Sequence, residues 1–388
     1  MEKIVGIMTS SGGWQGVYRC NYGAALQGYA LVKQLKMLGY DAYDINYYSA
    51  NEYSPQKYSL IERTFRRLLL LTNIKVVRGK MIEIKNRKNI KIWQNKFREF
   101  VAKNNLTYNQ GQFYRIDDLR EISKSMYAVI CGSDVVWNPA LRNNVCDEGY
   151  FLKFASPKTR RIAYAPSFGV SELPKKFAED MAEVLPTYSG VSIRESSGRE
   201  LIKKYCGIDA KVVLDPTLLL PTEEYETEII VPSWLPEKYI AVYQFGLIEH
   251  TTRMIEKIQE KTGLPIVRIP ARYDDFGKVR FDVGPGEFLG IIQNASLVIS
   301  DSFHCTVFSL LYHSPFLTFY RTIPEPGKDI NSRMIDLLKM VGLEDRLVKP
   351  DANVDFSSLY NVDFEYSDSV ISQMRRDSLS YLKNALEG

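Results

Sequence analysis

The sequence predicts an α/β protein with two Rossmann-like, doubly wound domains that face each other across a cleft. Its 388 residues are enough for two separate hydrophobic cores. Short apolar runs, typical of buried parallel strands, alternate with segments of helical periodicity. A proline-bearing stretch, formed by "LDPTLLLPTEEY" and "VPSWLPEKY", interrupts this alternation, which starts again at Lys238. We therefore predict domains of residues 1–222 and 223–388, with the last helix free to return to the first domain.

The first domain opens with a βαβ unit. Residues 3–8 are strand-like, residues 21–38 repeat apolar residues at helical spacing up to Gly39, and residues 42–46 form a second strand. Further apolar runs predict strands at residues 127–131, 161–165, 190–193 and 212–214. Because helical segments separate these runs, they indicate a parallel sheet with helices on both faces.

The second domain repeats the same alternation. Its predicted strands lie at residues 239–245, 265–269, 297–300 and 315–319. Its predicted helices lie at residues 251–262, 285–294 and 303–312. This order again gives a doubly wound parallel sheet.

The net charge of +4 is unevenly distributed along the chain. Residues 56–100 contain thirteen Lys and Arg against three Glu, mixed with apolar residues such as Leu68 and Trp93. This pattern is typical of an amphipathic helical region on anionic lipid. It is also typical of a solvated basic face on helices packed against the domain, which base rates favour slightly. No recognisable nucleic-acid-binding module accompanies the charge, so we expect no nucleic-acid partner.

The first residues, MEKIVGIMTSSGG, lack the basic start and cleavage site of a signal peptide, and no apolar run is long enough to span a membrane. We therefore expect a cytoplasmic protein, with residues 56–100 as the segment for a peripheral contact with the inner membrane face.

The five cysteines occur singly, without the paired spacing of a zinc site or a disulfide framework. The sequence accordingly predicts no metal site.

His304, one of three histidines, follows the predicted strand at residues 297–300. It falls in the first turn of the next helix, at the carboxyl end of a strand, where doubly wound sheets bind ligands. Asp301 and Ser302 precede it, and either can cap this helix. His304 is either a packed imidazole or a group that exchanges a proton near neutral pH. We favour the second, because a helix N-terminus also attracts anions.

Arg194 and Glu195, in "VSIRESSG", end another predicted strand. An arginine at this place suits a carboxylate or phosphate, which it binds through paired hydrogen bonds. An ion pair with Glu195 or across the domains explains the spacing equally well.

Two further stretches follow predicted strands. In "ICGSDVVWNP", Asp134, Trp137 and Asn138 suit a sugar, which they would hold by hydrogen bonds and an aromatic face; a helix cap and a core tryptophan are the alternative. In "CNYGAALQGYA", Gly23 permits close backbone approach, and Asn21 is also a candidate helix cap. Neither "SGGWQG" nor "GPGEFLG" fits the dinucleotide fingerprint, so we expect no nicotinamide cofactor.

The chain resembles the polysaccharide pyruvyl transferase family. Six stretches look like that family's signatures and occur in its order: "NYGAALQGYAL", "CGSDVVWNP", "IAYAPSFG", "SIRESSG", "LDPTLLL" and "SDSFHCTVFSLLYHSPF". Further on, "SRMIDLLKMVGLEDR" also resembles the family. The resemblance implies a GT-B-like fold and the transfer of pyruvate from phosphoenolpyruvate to a sugar, as a ketal, usually during assembly of a surface polysaccharide.

The resemblance also implies roles for residues near the strand ends. His304 matches the family's catalytic histidine, and Arg194 matches an arginine associated with the donor. Many relatives carry an arginine two residues before the histidine, where this chain has Ser302, although other relatives share the Ser-Phe-His form. The donor-binding residues expected on this basis are Arg194, Ser302, Phe303, Arg321 and Arg333.

The implied chemistry needs a group that gives and takes a proton, and His304 is the histidine placed for it. Asp301 and Glu195 are expected to orient the residues that contact the substrates. The scheme requires no metal and no cofactor. The acceptor, a saccharide that could be lipid-linked, is expected at Asn21, Gly23, Asp134, Trp137 and Asn138. The alternatives are a GT-B-type glycosyltransferase that uses a nucleotide sugar and a non-catalytic sugar-binding protein. The oligomeric state and the sugar are left open.

Overall fold

The computed structural model describes residues 3–10, 20–49, 86–246, 249–271, 279–322, 330–349, 352 and 354–388. In this part of the chain all strand pairs are parallel. The strands are β1 (Ile4–Met8), β2 (Asp41–Asp44), β3 (Asn46–Tyr47), β4 (Phe113–Tyr114), β5 (Ala128–Cys131), β6 (Arg160–Ala163), β7 (Gly190–Ile193), β8 (Lys211–Val212), β9 (Ile240–Tyr243), β10 (Ile266–Arg268), β11 (Leu297–Ser300), β12 (Phe316–Phe319) and β13 (Leu347–Val348).

The α-helices of the described residues lie between and after these strands. They are α1 (Tyr22–Met37), α2 (Arg87–Lys103), α3 (Ile116–Ser123), α4 (Lys175–Val184), α5 (Ser196–Cys206), α6 (Pro216–Leu219), α7 (Glu223–Glu226), α8 (Glu249–Thr262), α9 (Pro285–Gln293), α10 (Phe303–Leu311), α11 (Ser332–Met340) and α12 (Glu365–Glu387).

The strands form two larger sheets and one small pair. The first sheet has the order β2-β1-β5-β6-β7-β8, the second has the order β10-β9-β11-β12-β13, and β3 pairs with β4. In each larger sheet the first strand of the chain lies inside, and the chain runs first to one side of it and then to the other. Each sheet therefore has a topological switch point, between β1 and β5 and between β9 and β11. The predicted α/β class and parallel sheets are confirmed.

Several strands are shorter than the apolar runs that predict them, and the contacts explain two of these differences. The run at residues 239–245 is a strand only as far as Tyr243, because the carboxylate of Asp301 accepts the backbone N–H groups of Phe245 and Gly246. The run at residues 42–46 divides, since β2 pairs with β1 whereas β3 pairs with β4.

Helix α1 packs between the first sheet and the second domain. Its residues are buried along most of its length, and it contacts α9 and α10. An aromatic cluster lies at this junction: Tyr22 of α1 stacks on Phe288 of α9 at 4.6 Å, and the Trp93 Nε1 donates to the Tyr22 hydroxyl at 2.8 Å. The two domains are thus joined by a packed apolar surface.

The last helix, α12, packs against the first sheet rather than the second. The Tyr381 hydroxyl donates to the Ala163 carbonyl oxygen at the end of β6, at 2.9 Å. The Ser378 Oγ accepts the backbone N–H of Leu214 at 3.0 Å. The chain therefore crosses between the domains twice.

Only residues 86–100 of the predicted basic segment are described, and residues 56–85 lie outside the described residues. Helix α2 buries Trp93 and Phe97 against the domain, whereas Lys88 and Lys91 are exposed. Among the described helices, none combines the length and the apolar composition needed to cross a membrane.

Candidate active site

The carboxyl ends of strands from both sheets converge at the domain junction. Asp134 follows β5, Arg194 follows β7, and His304 lies in the first turn of α10, which follows β11. The Arg194 guanidinium lies over the ring of Phe303, with its central carbon 4.9 Å from the ring centroid. Ligands of doubly wound sheets bind at such strand ends, near the switch points.

His304 is held between the two domains and is only 8% exposed. Its Nε2 lies 3.6 Å from the Asp215 Oδ2 and has no hydrogen-bond partner among the described residues. Its Nδ1 edge lies against Gly23 of α1, where a side chain would overlap the ring. Phe303 contacts the imidazole edge to face, with centroids 5.3 Å apart. Neighbours on several sides therefore fix the ring.

Asp215 is the carboxylate that joins the parts of the site, and its side chain is fully buried. Its Oδ2 accepts from the Arg194 Nη1 at 2.8 Å and from the Ser133 Oγ at 2.9 Å. Its Oδ1 caps α6 by accepting the backbone N–H of Thr217 at 3.0 Å. Burial alone would raise the pKa of Asp215, but His304, Arg194 and the Thr217 hydrogen bond hold it well below its usual range.

Within the described part of the chain, the Arg194 guanidinium is hydrogen-bonded through one of its nitrogen atoms only. Its Nη1 binds Asp215, and its Nη2 lies 3.9 Å from the Asp134 Oδ1. Burial opposes its charge, yet the attraction of Asp215, Asp134 and Glu195 raises the pKa of Arg194. Its Nε and Nη2 have no hydrogen-bond partner among the described residues. These two atoms are therefore buried donors without a hydrogen bond to any described residue.

Arg321 and Arg333 bring further positive charge to a pocket beside Phe303. The Arg333 Nη1 is 3.9 Å from the Asp134 Oδ1, and the Arg321 Nη2 donates to the Asp301 carbonyl oxygen at 3.1 Å. Burial lowers the pKa of Arg333 to about 10, and repulsion from Arg194 and Arg321 adds to this effect against the attraction of Asp134 and Glu195. Three guanidinium groups thus lie close together around Phe303, among carboxylates that include Asp134 and Glu195.

Asp301 and Ser302 do not act as the expected side-chain caps of α10. The Asp301 carboxylate accepts backbone N–H groups of the loop after β9 instead. Ser302 stands at the N-cap position, but its hydroxyl makes no capping hydrogen bond. Glu195 accepts from the Ser167 Oγ at 3.0 Å and the Phe168 N–H at 2.9 Å, so it fixes the loop after β6.

Three of the residues expected at the acceptor stabilise the fold, as a core side chain or as helix caps. Trp137 is fully buried, stacks on Phe151 at 4.9 Å and donates to the Tyr150 carbonyl oxygen, so it presents no face to a sugar. The Asn21 Oδ1 caps α1 by accepting the Ala24 N–H at 3.2 Å. The Asn138 Oδ1 caps the short helix Pro139–Arg142. For Trp137 the expectation is corrected, because the ring fills the core of the first domain.

Asp134 and Gly23 do lie at the convergence. Asp134 has φ 74°, a left-handed conformation that aspartate tolerates, and its Oδ1 accepts the next backbone N–H, of Val135, at 2.9 Å. It lies between Arg194 and Arg333. Gly23 lies under the imidazole of His304.

Gly23→Ala is expected to displace the imidazole of His304. The added methyl carbon would lie 2.1 Å from Nδ1 and 2.4 Å from Cγ, so the ring must move, at a cost of about 1–3 kcal/mol. Turnover should fall at least about tenfold, since small misplacements of a reacting group are costly.

Gly28→Ala, on the same helix, is the matched control. Its methyl carbon would lie 3.9 Å from the Thr9 Cγ2 and 4.0 Å from the Asp44 Oδ2, which are ordinary contacts. It should leave turnover unchanged and stabilise α1 by about 0.5–1 kcal/mol. Equal turnover in the two variants would contradict the contact between Gly23 and His304.

Asp215 was missed as a site residue, although "LDPTLLL" was noted as a family-like stretch. The available signal is an aspartate directly before a proline, which indicates an N-cap followed by proline at the first helical position. That signal explains the Oδ1 contacts. It carries no information about Arg194 or His304, which reach the Oδ2 from distant parts of the chain.

The sequence matches the family model described as polysaccharide pyruvyl transferase over residues 21–322. This range includes every strand end that contributes to the site described above, and it leaves out Arg333. No curated protein matches the chain significantly.

Solved structures resemble the fold at low sequence identity. A Listeria monocytogenes protein assigned as UDP-N-acetylglucosamine 2-epimerase aligns with a TM-score of 0.50 and 7% identity, covering 97% of this chain and 91% of its own. The Methanocaldococcus jannaschii UDP-GlcNAc 2-epimerase has a TM-score of 0.45 and 14% identity, covering 96% and 99%. The E. coli heptosyltransferase WaaC has a TM-score of 0.34 and 11% identity, covering 95% and 99%. The Listeria match and the two parallel sheets confirm the GT-B-like fold.

Proposed function

Because this chain belongs to the polysaccharide pyruvyl transferase family and is therefore a transferase, we propose that it moves pyruvate from phosphoenolpyruvate onto a saccharide and closes it as a ketal. The observation that supports this most is the contact of His304 and Arg194 with one buried carboxylate, that of Asp215, at the domain junction. An acid–base group and an anion-binding group are thereby held a few ångströms apart.

The donor requires positive charge, because it carries a carboxylate and a phosphate. Arg194 offers its Nε and Nη2, and Arg333 offers its Nε; none of these atoms has a hydrogen-bond partner among the described residues. The N-terminus of α10 adds its dipole and its first N–H groups. Each charged hydrogen bond contributes about 1.5–3 kcal/mol, so three or four of them suffice for a donor of this size.

Ser302 stands where many members of the family have an arginine. Arg321, which follows β12, and Arg333 of α11 line the pocket beside Phe303. We assign them the task of holding the donor's anionic groups in this chain. Both guanidinium groups line the pocket beside Phe303, which supports that assignment.

The reaction removes two protons, one from each sugar hydroxyl, and delivers two, one to the donor's methylene carbon and one to the departing phosphate. Protonation of the donor's methylene carbon gives a methyl group and an oxocarbenium-like centre, which one sugar hydroxyl attacks as it loses its proton. The bond to the phosphate oxygen breaks, phosphate leaves with the electron pair, and a second hydroxyl closes the ketal. His304 acts as the acid and base in these steps, and the arginines stabilise the leaving phosphate.

The acceptor would be a sugar of a surface polysaccharide or of its lipid-linked precursor. We place it on the first-domain side, near Asp134 and Asn138. In the lipid-linked case, residues 56–100 would hold the enzyme on anionic lipid. Sedimentation with anionic vesicles at low salt should then remove the protein from solution, and retention in the supernatant would contradict this contact.

Phosphate release measures the proposed reaction directly. Purified protein is incubated with phosphoenolpyruvate and a panel of hexosides, and release should depend on the acceptor and yield an acid-labile ketal. A nucleotide sugar replaces phosphoenolpyruvate in a parallel series. Glycosyl transfer with the nucleotide sugar, and no release from phosphoenolpyruvate, would favour the GT-B-type glycosyltransferase. Binding without either reaction would favour a sugar-binding protein.

A further inference from the structure

Asp215 meets His304 through one nitrogen of the imidazole only. The Nε2 lies 3.6 Å from the Asp215 Oδ2, is buried, and has no hydrogen-bond partner in the described part of the chain. The Nδ1 lies on the opposite side of the ring, beside Gly23, and is not among the buried unpaired atoms. The two nitrogens are therefore in different surroundings.

The carboxylate of Asp215 has little freedom to move. Its Oδ1 is fixed by the N–H and hydroxyl of Thr217, and its Oδ2 by Ser133 and Arg194. Burial would raise the pKa of Asp215, but His304 in its charged form, Arg194 and the Thr217 hydrogen bond hold this pKa well below its usual range. When the imidazole is neutral, Arg194 and the hydrogen bonds from Thr217 and Ser133 remain, so the carboxylate stays ionised. An ionised carboxylate accepts hydrogen bonds but donates none, so the nitrogen that faces it must carry a proton.

We propose that Asp215 is a positioning residue that keeps the proton of the neutral imidazole on Nε2 and leaves the lone pair of Nδ1 free to exchange a proton with substrate. The second half of this statement rests on the proposed function. The first half concerns the tautomer of His304 and holds whatever the substrate is. A carboxylate selects the tautomer of a catalytic imidazole in the same way in Ser-His-Asp enzymes.

Nitrogen NMR of the full chain with isotope-labelled histidine tests the tautomer. The chain has three histidines, so His304→Gln and His313→Gln spectra assign the signals. At a pH where the ring is neutral, wild-type His304 should show a protonated Nε2 and an unprotonated Nδ1. A protonated Nδ1 in the wild type would overturn the proposal without any variant of Asp215.

Asp215→Asn should release this constraint. The amide is no longer an anion, so a measurable share of His304 should change to the tautomer protonated at Nδ1. Asp134→Asn is the matched control, because it removes a carboxylate 3.9 Å from Arg194 that makes no recorded contact with His304. Its spectrum should keep the wild-type tautomer. An unchanged tautomer in Asp215→Asn would overturn the proposal.

His313 provides a second reference within the same spectra. Its Nε2 lies 3.0 Å from Asp368 at an exposed site, so Asp215→Asn should leave its signals unchanged. Where phosphate release is observed, Asp215→Asn should lower turnover by about 10²- to 10⁴-fold with a smaller change in the donor KM. The expected tautomers without phosphate release would leave the tautomer assignment standing and reject the proposed function.

Discussion

His304→Gln is expected to lower the turnover number for phosphate release by about 10²- to 10⁴-fold. Glutamine has a similar reach and can keep a polar group near Asp215, but it cannot take up and return a proton. Donor affinity should change less than about tenfold, which corresponds to 1.4 kcal/mol, because Arg194 and Arg333 remain. Turnover is measured by acceptor-dependent phosphate release, and donor affinity by titration calorimetry.

His313→Gln is the control for this substitution. His313 is exposed, lies beyond the C-terminal end of α10 and pairs with Asp368 on α12. Its loss should change turnover by less than about twofold, since exposed ion pairs contribute little. If His304→Gln kept half of the wild-type turnover, His304 could not be the acid–base group.

Helices and strands were predictable where local periodicity decides them. The segment from Pro285 to Phe319 shows this best: the predicted ranges 285–294, 297–300, 303–312 and 315–319 agree with α9, β11, α10 and β12 to within one residue. The placement of His304 in the first turn of α10 followed from these ranges alone.

Side-chain partners were not predictable, because they depend on contacts between distant segments. Tryptophan is a residue type that often binds sugars, yet Phe151 and Phe168 enclose the ring of Trp137 in the core. Asp301 has the spacing of a cap, yet the nearest free N–H groups are those of the loop after β9. Which of several polar side chains meets a ligand is thus decided by packing that the local sequence does not show.

The aromatic cluster at the domain junction joins stability to the site. Phe288 of α9 is fully buried, stacks on Tyr22 with the rings inclined by 6°, and contacts Phe308 of α10 at 6.2 Å. Tyr22 directly precedes Gly23, which lies against His304. The same packing therefore holds the domains together and sets the distance between α1 and the imidazole.

Phe288→Ala is expected to lower the free energy of unfolding by about 3–5 kcal/mol, because it removes a large buried ring and leaves a cavity. Denaturant unfolding followed by fluorescence measures this change. Tyr360→Ala is the control: Tyr360 is 47% exposed, and its loss should cost less than about 0.5 kcal/mol. Similar stability of the two variants would contradict a contribution of the Phe288 packing to the free energy of unfolding.

Phe288→Ala should also lower turnover under conditions where the variant is fully folded. The cavity lets α1 shift relative to α10, and a shift of Gly23 removes one of the contacts that hold His304 beside Asp215. Because small displacements of a reacting group are costly, turnover should fall by at least about tenfold. A destabilised variant with wild-type turnover would show that Asp215 and Phe303 hold the imidazole without help from α1.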